Sequence, residues 1–332
     1  MQRPWRTVQR ALDAVRPGDT VVVRAGTYRE NLAFTRSGKP GAPVTLRSFA
    51  GERVVLRPST SDPSYPLRIK NAYSRVQGFV IEGASTSNTV NVYVTEEAHH
   101  ATLAYCEVRD AERGSGIFVD HAAYRINVIG NTVHGNNEPG EQHQAIYFEG
   151  SHGVIANNVV YGQTNGFGIQ IRTDVSSGPT DVLVANNTVT GNSISGIVVE
   201  HTAARITIVN NISAYNGGTG IRGYYSDGDH PDDRAGTGNV VHHNLVFGNR
   251  GYGNLHSDVV KTGPSAGRRI LAFGRNFFGN PRFVSLPGAD FHVRAGSPAL
   301  GRALRKYAPR RDRDGRIRRR GASLDLGAFE RS

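Results

Sequence analysis

The sequence predicts an all-β protein built as a single-stranded parallel β-helix, and three observations support this fold class. A short motif centred on Asn recurs with spacings of 27, 29, 24, 33 and 32 residues, at Asn131, Asn158, Asn187, Asn211, Asn244 and Asn276. Each unit contains at least two short runs rich in Val and Ile and bounded by Gly, Asn and Ser, a pattern typical of β-strands. Segments of helical periodicity are missing between these runs, so repeated β-α-β units are excluded.

A second motif precedes most copies of the Asn motif and supplies another strand of the coil. Its copies are GIFVD (116–120), AIYFE (145–149), GIQIR (168–172), GIVVE (196–200) and GIRGY (220–224). One coil alone cannot bury its apolar side, whereas stacked coils share a continuous core, with equivalent strands about 4.8 Å apart in parallel sheets. The aligned Asn side chains can then form a hydrogen-bonded ladder from coil to coil.

The two ends of the chain are expected to cover the ends of the solenoid. Val8, Leu12 and Val15 fall at helical spacing, and Pro17-Gly18 ends the helix. The C-terminal segment lacks the Asn motif and is expected to be irregular. The prediction is one domain over residues 1–332, with a cap and first strand (1–30), coils (43–285) and a basic C-terminal cap (286–332).

The charge distribution argues against nucleic-acid binding. The formal net charge is +11, but residues 302–320 hold nine Arg and Lys306 against Asp312 and Asp314, a local sum of +8. The remaining chain is close to balanced, and it shows no helix-turn-helix, RNA-recognition or zinc-finger spacing. The basic segment could contact an acidic polymer or a cell surface.

Other features of the composition limit the cellular setting. No run of about 18 apolar residues is present, so no membrane span or membrane partner is expected. The lone Cys106 excludes an internal disulfide framework and is predicted to be a buried small hydrophobe. No signal peptide precedes Trp5, so export would require a leader that was removed or left out. We expect a secreted or periplasmic monomer.

A family resemblance rests on both ends of the chain and on its repeats. The opening WRTVQRALDAVRPGDTVVVRAGTYRENL, the repeated GI-x-V and NN-x-V coils, and the closing SPAL…DRDGR…DLGAFE resemble right-handed parallel β-helix proteins of the pectate-lyase-like superfamily. The resemblance implies a right-handed helix and covers essentially the whole chain. Its members include polysaccharide lyases, glycoside hydrolases, uronate epimerases and binding or spike proteins, so fold alone does not fix the activity.

The candidate site lies on the outward face of the GI-motif strands. Because alternate residues of a strand point to opposite faces, the second and fourth residues of this motif should point inward. One outward row is then Asp120, Glu149, Arg172, Glu200 and Tyr224. The neighbouring row is Phe118, Tyr147, Gln170, Val198 and Arg222.

Insertions are predicted to wall a groove over these rows. The coils lengthen at NNEPGEQHQ, DVSSGPTD and SDGDHPDDRAGTG, and long insertions on a regular scaffold commonly carry function. They would bring His143 from one edge and Asp174, Asp227, Asp229 and His230 from the other. Aromatic rings that stack on sugars and Arg side chains that grip carboxylates suit an acidic polysaccharide. Candidate substrate-binding residues are Asp120, Tyr147, Gln170, Arg222, Tyr225 and His230.

Two mechanisms fit these residues. In a lyase, Arg172 or Arg222, or a cation held by acids, would neutralise the uronate carboxylate and acidify the adjacent C–H bond. A base or acid would come from His143, His201 or Tyr224. The resemblance also implies a Lys or Arg base with Ca²⁺, for which Asp174, Asp227 and Asp229 are the candidate ligands; the nearby Lys here is Lys261.

In a glycoside hydrolase, two carboxylates would act instead as acid and as nucleophile or base. Asp120 and Glu149 lie one coil apart, roughly 5 Å, and Glu149 and Glu200 two coils apart, roughly 9–10 Å. The paired-Asp motifs of the β-helical polygalacturonases are missing from this sequence. Elimination is therefore the favoured reaction, with Glu149, Arg172, Glu200, His143, His201 and Tyr224 as candidate catalytic residues.

Two further interpretations involve no catalysis. Glu149, Arg172 and Glu200 could form a simple ion-pair ladder on successive coils. The protein could also be a carbohydrate-binding or structural β-helix. Such a binder should present a flat, repetitive face, which the irregular insertions disfavour.

Overall fold

Three parallel β-sheets wind around one continuous core, which confirms the predicted parallel β-helix. The computed structural model describes residues 4–136, 142–173, 175, 178–200, 202–226, 236–262, 265–318 and 323–331. The chain visits the first, second and third sheets in turn, and each strand pairs with its equivalent in the preceding and following coils. Within the described ranges no helix has the length and apolarity needed to cross a membrane.

Within the described residues the three sheets hold ten, ten and nine strands. The first sheet comprises Thr20–Val23, Val44–Ser48, Ser74–Gln77, Thr102–Ala104, Asn127–Ile129, Val154–Ala156, Leu183–Ala185, Thr207–Val209, Val240–His242 and Ala272–Phe273. The second comprises Gly26–Arg29, Val54–Arg57, Val80–Glu82, Glu107–Arg109, Thr132–His134, Val159–Tyr161, Thr188–Thr190, Ile212–Ala214, Leu245–Phe247 and Phe277–Phe278. The third comprises Leu32–Ala33, Leu67–Ile69, Val92–Val94, Ile117–Val119, Ile146–Phe148, Ile169–Ile171, Ile197–Glu200, Ile221–Tyr224 and Leu255–Ser257.

The inward residues of the third sheet are those that the alternation predicts. All of them are fully buried in the main core: Ile117, Val119, Ile146, Phe148, Ile169, Ile171, Ile197 and Val199. Cys106 is also buried and free, as expected, and burial raises the pKa of its thiol to about 11. The core therefore runs without a break through the stacked coils.

The recurrent Asn residues form the predicted ladder. Each side-chain amide donates to the next Asn Oδ1 at 2.9–3.1 Å, from Asn131 through to Asn276. A second ladder, which was not predicted, runs parallel to it through Asn91, Asn136, Gln163, Asn192, Asn216 and Asn249. Both ladders satisfy backbone groups at bends that are closed to water.

The NN and GI motifs have separate physical causes. The first Asn of each pair occupies the left-handed bend between the first and second sheets, with φ of 55–61° at Asn157, Asn186 and Asn210, a conformation that Asn tolerates well. The second Asn belongs to the ladder. The Gly that opens each GI motif lies against the second ladder, since a Cβ on Gly168 would come within 2.9 Å of the Asn192 side-chain nitrogen.

A short helix closes the N-terminal end, as the spacing of Val8 and Leu12 predicts. It spans Val8–Ala14, and Val8, Leu12 and Val15 are buried against the core. The Glu30 carboxylate accepts hydrogen bonds from the amides of Val8 and Gln9, both at 2.9 Å, where the helix dipole favours a negative charge.

The C-terminal segment packs along the outside of the second sheet and spans several coils. It contains a 3₁₀ turn, Arg305–Tyr307, and an antiparallel pair, Phe283–Ser285 with Asp290–Val293. A second apolar cluster joins it to the sheet through Val159, Ile212, Leu245, Phe283, Phe291, Val293, Leu326 and Ala328. Hydrogen bonds to Thr132, Thr188 and Asn210 fix its register on the coils. The domain boundaries drawn from the sequence stay a prediction.

We expect Asn187→Ala to lower the free energy of unfolding by about 2–3 kcal/mol, because it leaves several buried polar groups without a hydrogen-bond partner. The Asn187 Oδ1 accepts from the backbone and side-chain nitrogens of Asn158, and its amide donates to the carbonyl of Ile155 and to Asn211. Asn127→Ala, which removes one 3.4 Å hydrogen bond on the outer face of the first sheet, is the control. Equal urea-unfolding curves for the two variants would contradict a stabilising ladder.

Candidate functional site

The outer face of the third sheet carries side chains that stack from coil to coil, as predicted. Strand register pairs the equivalent positions directly. The resulting row is Arg68, Tyr93, Phe118, Tyr147, Gln170, Val198, Arg222 and His256. Glu200 pairs with Tyr224 in the neighbouring row, and the amides of Asp120, Glu149 and Arg172 each bond to the coil before.

A buried carboxylate lies at the middle of this face. Glu200 is 1% exposed and lies 3.3 Å from the Arg172 Nε through its Oε2. The Gln170 amide donates to its other oxygen. Gln170 and Val198 are themselves buried, so the centre of the predicted outward row is covered rather than open to solvent. The pairing fixes the orientation of the Arg172 guanidinium, which retains partial exposure.

A hollow opens beside this pair and contains several of the predicted catalytic and binding residues. It has a volume of about 330 Å³, and its lining includes Phe118, His143, Tyr147 and Arg172. The Glu149 carboxylate lies nearby on the same sheet and accepts a hydrogen bond from the Thr173 hydroxyl at 3.2 Å. An imidazole, a phenol and a guanidinium therefore meet in one hollow large enough for a sugar ring.

An aromatic row extends from this hollow toward the N-terminal end. The ring centroids of Tyr65, Tyr93, Phe118 and Tyr147 follow one another at 5.3, 5.6 and 5.2 Å. The Tyr93 hydroxyl donates to Asp120 at 2.8 Å. Burial, together with this bond to a carboxylate, raises the pKa of Tyr93 far above its usual range. The predicted outward row contained Phe118 and Tyr147 but neither Tyr65 nor Tyr93.

A group of potential metal ligands lies beside the aromatic row. Ligand atoms of Glu96, Asp120 and His121 all lie within 4.8 Å of one another, and the His121 Nδ1 is 2.6 Å from the Asp120 carboxylate. Calcium prefers oxygen ligands, whereas a mixed set of two carboxylates and an imidazole suits a transition metal better. This cluster therefore does not match the calcium site expected from the resemblance.

A second polar cluster lies at the C-terminal end of the same face. The Arg222 guanidinium lies over the rings of Tyr224 and Tyr252, at 4.4 and 4.9 Å, and 3.4 Å from the Asp258 carboxylate. The His256 Nε2 is 2.8 Å from the other oxygen of Asp258.

Burial opposes ionisation of Asp258, but the Tyr225 amide, His256 and Arg222 outweigh it and lower the pKa of that carboxyl. Neither His256 nor Asp258 was among the predicted site residues. The repeat could have indicated them, because the segment LHS (255–257) adds one more coil to the strands of the GI motif.

Not every predicted site residue faces the groove. Tyr225 is 6% exposed, packs in the main core and bonds to the Thr262 hydroxyl at 2.8 Å, so its ring cannot stack on a substrate. It directly follows Tyr224, which belongs to the outward row, so the alternation of the strand continues and points this side chain inward. His201, His230, Asp174, Asp227 and Asp229 lie outside the described residues.

Comparison with known proteins agrees with this fold. A family model described as the Pel9A-like, right-handed β-helix region matches residues 1–152. The uncharacterised protein YwoF of Bacillus subtilis (strain 168) is 29% identical over 117 residues, which cover 32% of this chain and 25% of YwoF. Pectate lyase PEL9 of Emericella nidulans is 38% identical over 55 residues, 16% of this chain and 13% of that enzyme. The chain thus matches a quarter or less of each of these relatives.

Solved structures extend the likeness to nearly the whole chain. The crystal structure of pectate lyase Pel9A has a TM-score of 0.55 at 17% identity, covering 98% of this chain and 91% of that one. The periplasmic alginate epimerase AlgG has a TM-score of 0.54 at 14% identity, over 80% of this chain and 61% of that one. At such identities the likeness concerns the fold. It confirms the right-handed parallel β-helix fold that the resemblance implies.

Proposed function

We propose that this protein cleaves an acidic, uronate-containing polysaccharide by β-elimination on the outer face of the third sheet. The observation that carries the proposal is the hollow that brings together His143, Tyr147 and Arg172 beside the buried Glu200. The similar proteins include a pectate lyase and an alginate epimerase, which supports a polysaccharide-acting enzyme.

Arg172, His143 and Tyr147 each have a role in this reaction. Arg172, held by Glu200, pairs with the uronate carboxylate and stabilises the negative charge that develops when the adjacent carbon loses its proton. His143 accepts that proton. The C–H electron pair forms a carbon–carbon double bond while the neighbouring glycosidic C–O bond breaks, and Tyr147 or water protonates the leaving oxygen.

The aromatic row and the Arg222 cluster extend the binding surface on both sides of the hollow. The row of rings at Tyr65, Tyr93 and Phe118 supplies apolar surface for sugars toward one end. Arg222, packed between two tyrosines, offers a cation toward the other. A polymer laid along the solenoid axis would contact both, with cleavage between them.

Calcium and location belong to the proposal as well. The calcium ligands proposed from the sequence are Asp174, Asp227 and Asp229, and no step above depends on the ion. We propose that the protein acts outside the cytoplasm, and the periplasmic location of the alginate epimerase AlgG, which has a similar fold, supports this.

The direct test is incubation with pectate, alginate, glucuronan and glycosaminoglycans, with and without EDTA. Elimination yields unsaturated products that absorb ultraviolet light together with new reducing ends. Reducing ends without absorbance would indicate hydrolysis, and an altered uronate composition without either would indicate epimerisation. Neither signal on any polymer would favour a binding protein.

We expect His143→Ala to lower kcat by about a hundredfold, since a positioned general base contributes about that much or more. The control is His134→Ala, which removes a histidine from the outer face of the second sheet, where it pairs with Glu107 at 3.2 Å. Initial rates of ultraviolet absorbance on the cleaved polymer measure both. Equal rates for the two variants would remove His143 from the mechanism.

A further inference from the structure

A column of aromatic and basic side chains lies on the turns that lead into the first sheet, away from the groove. Tyr73, His100, Arg125 and His152 occupy equivalent turn positions on four successive coils, each with φ of 51–55°. Left-handed backbone is uncommon for residues other than Gly, Asn and Asp, so this conformation is imposed by the coil and holds each side chain at the surface in a fixed direction.

The rings in this column stack on one another. The centroids of Tyr73 and His100 are 4.7 Å apart with the rings nearly parallel, and Tyr124 follows at 6.0 Å from His100. Tyr124 is 4.9 Å from His152, and the Arg125 guanidinium lies 5.3 Å from the Tyr124 ring. The column is therefore a preorganised surface that loses little side-chain entropy on binding.

A hollow of about 580 Å³ lies against the column, and its charged lining residues are all basic. Its lining includes Lys39, Arg75 and Arg125. None of the described residues that line it is acidic. On the following coil Asp181 binds Arg205 through two hydrogen bonds, of 2.8 and 2.6 Å, and lies 3.6 Å from His152. The cationic hollow thus ends where the first carboxylate appears.

We propose that this hollow is a second carbohydrate site, which binds a short stretch of an acidic polysaccharide without cleaving it. Lys39, Arg75 and Arg125 match several carboxylates, and the partly exposed Tyr73 in the hollow and the exposed Tyr124 beside it supply aromatic surface for sugar rings. Nucleic-acid sites use a longer series of phosphate contacts, about 6–10 in strong binders, and three cations fall short of that. The site would hold the polymer on one flank while the groove acts on another part of it.

The test measures binding to uronate hexamers by calorimetry, using the full chain with His143→Ala so that the probe is not consumed. Hexamers of galacturonate, mannuronate and guluronate are the probes, with a neutral galactose hexamer and a single-stranded DNA of equal charge as comparisons. We expect two binding events for one of the uronate hexamers and, in Arg75→Ala/Arg125→Ala, a tenfold or greater loss of one of them.

Arg205→Ala is the matched control, because Arg205 occupies the equivalent turn beyond the hollow and is bound to Asp181. It should leave both binding events unchanged. Equal binding by the double variant and the control, or tighter binding of the DNA than of every uronate hexamer, would overturn the proposal. If the unchanged protein cleaves no uronate polymer although both binding events are present, the result counts against the proposed function alone.

Discussion

Arg172→Ala is expected to reduce turnover about a thousandfold and to lower the free energy of unfolding by about 3 kcal/mol. The first effect follows because Arg172 is the proposed partner of the substrate carboxylate, and removing a preorganised donor commonly costs a factor of 10²–10³. The second follows because the variant leaves the Glu200 carboxylate, 2% exposed in its side chain, without a cation 3.3 Å away. Both effects start from the same ion pair, so one variant cannot separate them.

Arg172→Ala/Glu200→Gln separates stability from activity. The neutral amide of the second change keeps an acceptor for Gln170 but no longer requires a counter-charge. We expect the double variant to recover most of the lost stability while its turnover stays as low as that of Arg172→Ala. Urea unfolding and initial rates on the cleaved polymer measure the two quantities. Recovery of both would show that Arg172 serves the fold, as a structural ion-pair ladder would require.

The variant Arg172→Lys separates the need for a positive charge from the need for a guanidinium. It keeps a positive charge near Glu200 but cannot form the two parallel hydrogen bonds that a guanidinium makes with a carboxylate. Stability close to that of the unchanged protein with turnover reduced more than tenfold would support recognition of a substrate carboxylate by Arg172. Full turnover with lysine would show that charge alone is needed.

The repeating part of the fold could be predicted because each coil obeys the same local constraints. Asn187 hydrogen-bonds to the ladder Asn of the preceding and following coils, Gly168 leaves room for Asn192, and Ile169 fills the core. An Asn, a Gly and an Ile therefore recur together in the coils. Stacking also predicted which side chains share the outer face of the third sheet. The second ladder was present in the same motifs and was missed because only one Asn of each motif was aligned.

The burial of each side chain was harder to predict than whether it points inward or outward. Alternation places Gln170 and Val198 outward, yet both are buried, because exposure also depends on what packs above a sheet. Tyr225 directly follows the outward Tyr224, so the same alternation places its side chain inward, and its assignment to the groove did not apply that rule beyond the strand end. The position of the C-terminal segment depends on contacts 94–181 residues apart in sequence, such as Arg313 with Thr132, and no local pattern predicts them.

Arg318→Ala is expected to lower the free energy of unfolding by about 3–5 kcal/mol, the cost of leaving a buried ion pair without one partner. The Arg318 side chain is 1% exposed and bonds to Glu330 at 2.6 Å, to Asn157 at 3.1 Å and to the carbonyl of Gly327 at 2.8 Å. Burial lowers the pKa of this guanidinium and raises the pKa of Glu330, so both groups have lost hydration that only their contacts replace.

The position of Arg318 makes the loss more than local. It joins the C-terminal segment to the Asn157 bend of the coils, so its removal should loosen that segment from the second sheet. Trypsin should then cleave the segment much faster than in the unchanged protein, while the coils stay intact. Arg316→Ala is the control, because its side chain is 55% exposed and lies 3.8 Å from Asp314. Similar unfolding and cleavage rates for both variants would mean that the apolar cluster alone, around Phe283 and Phe291, holds the segment in place.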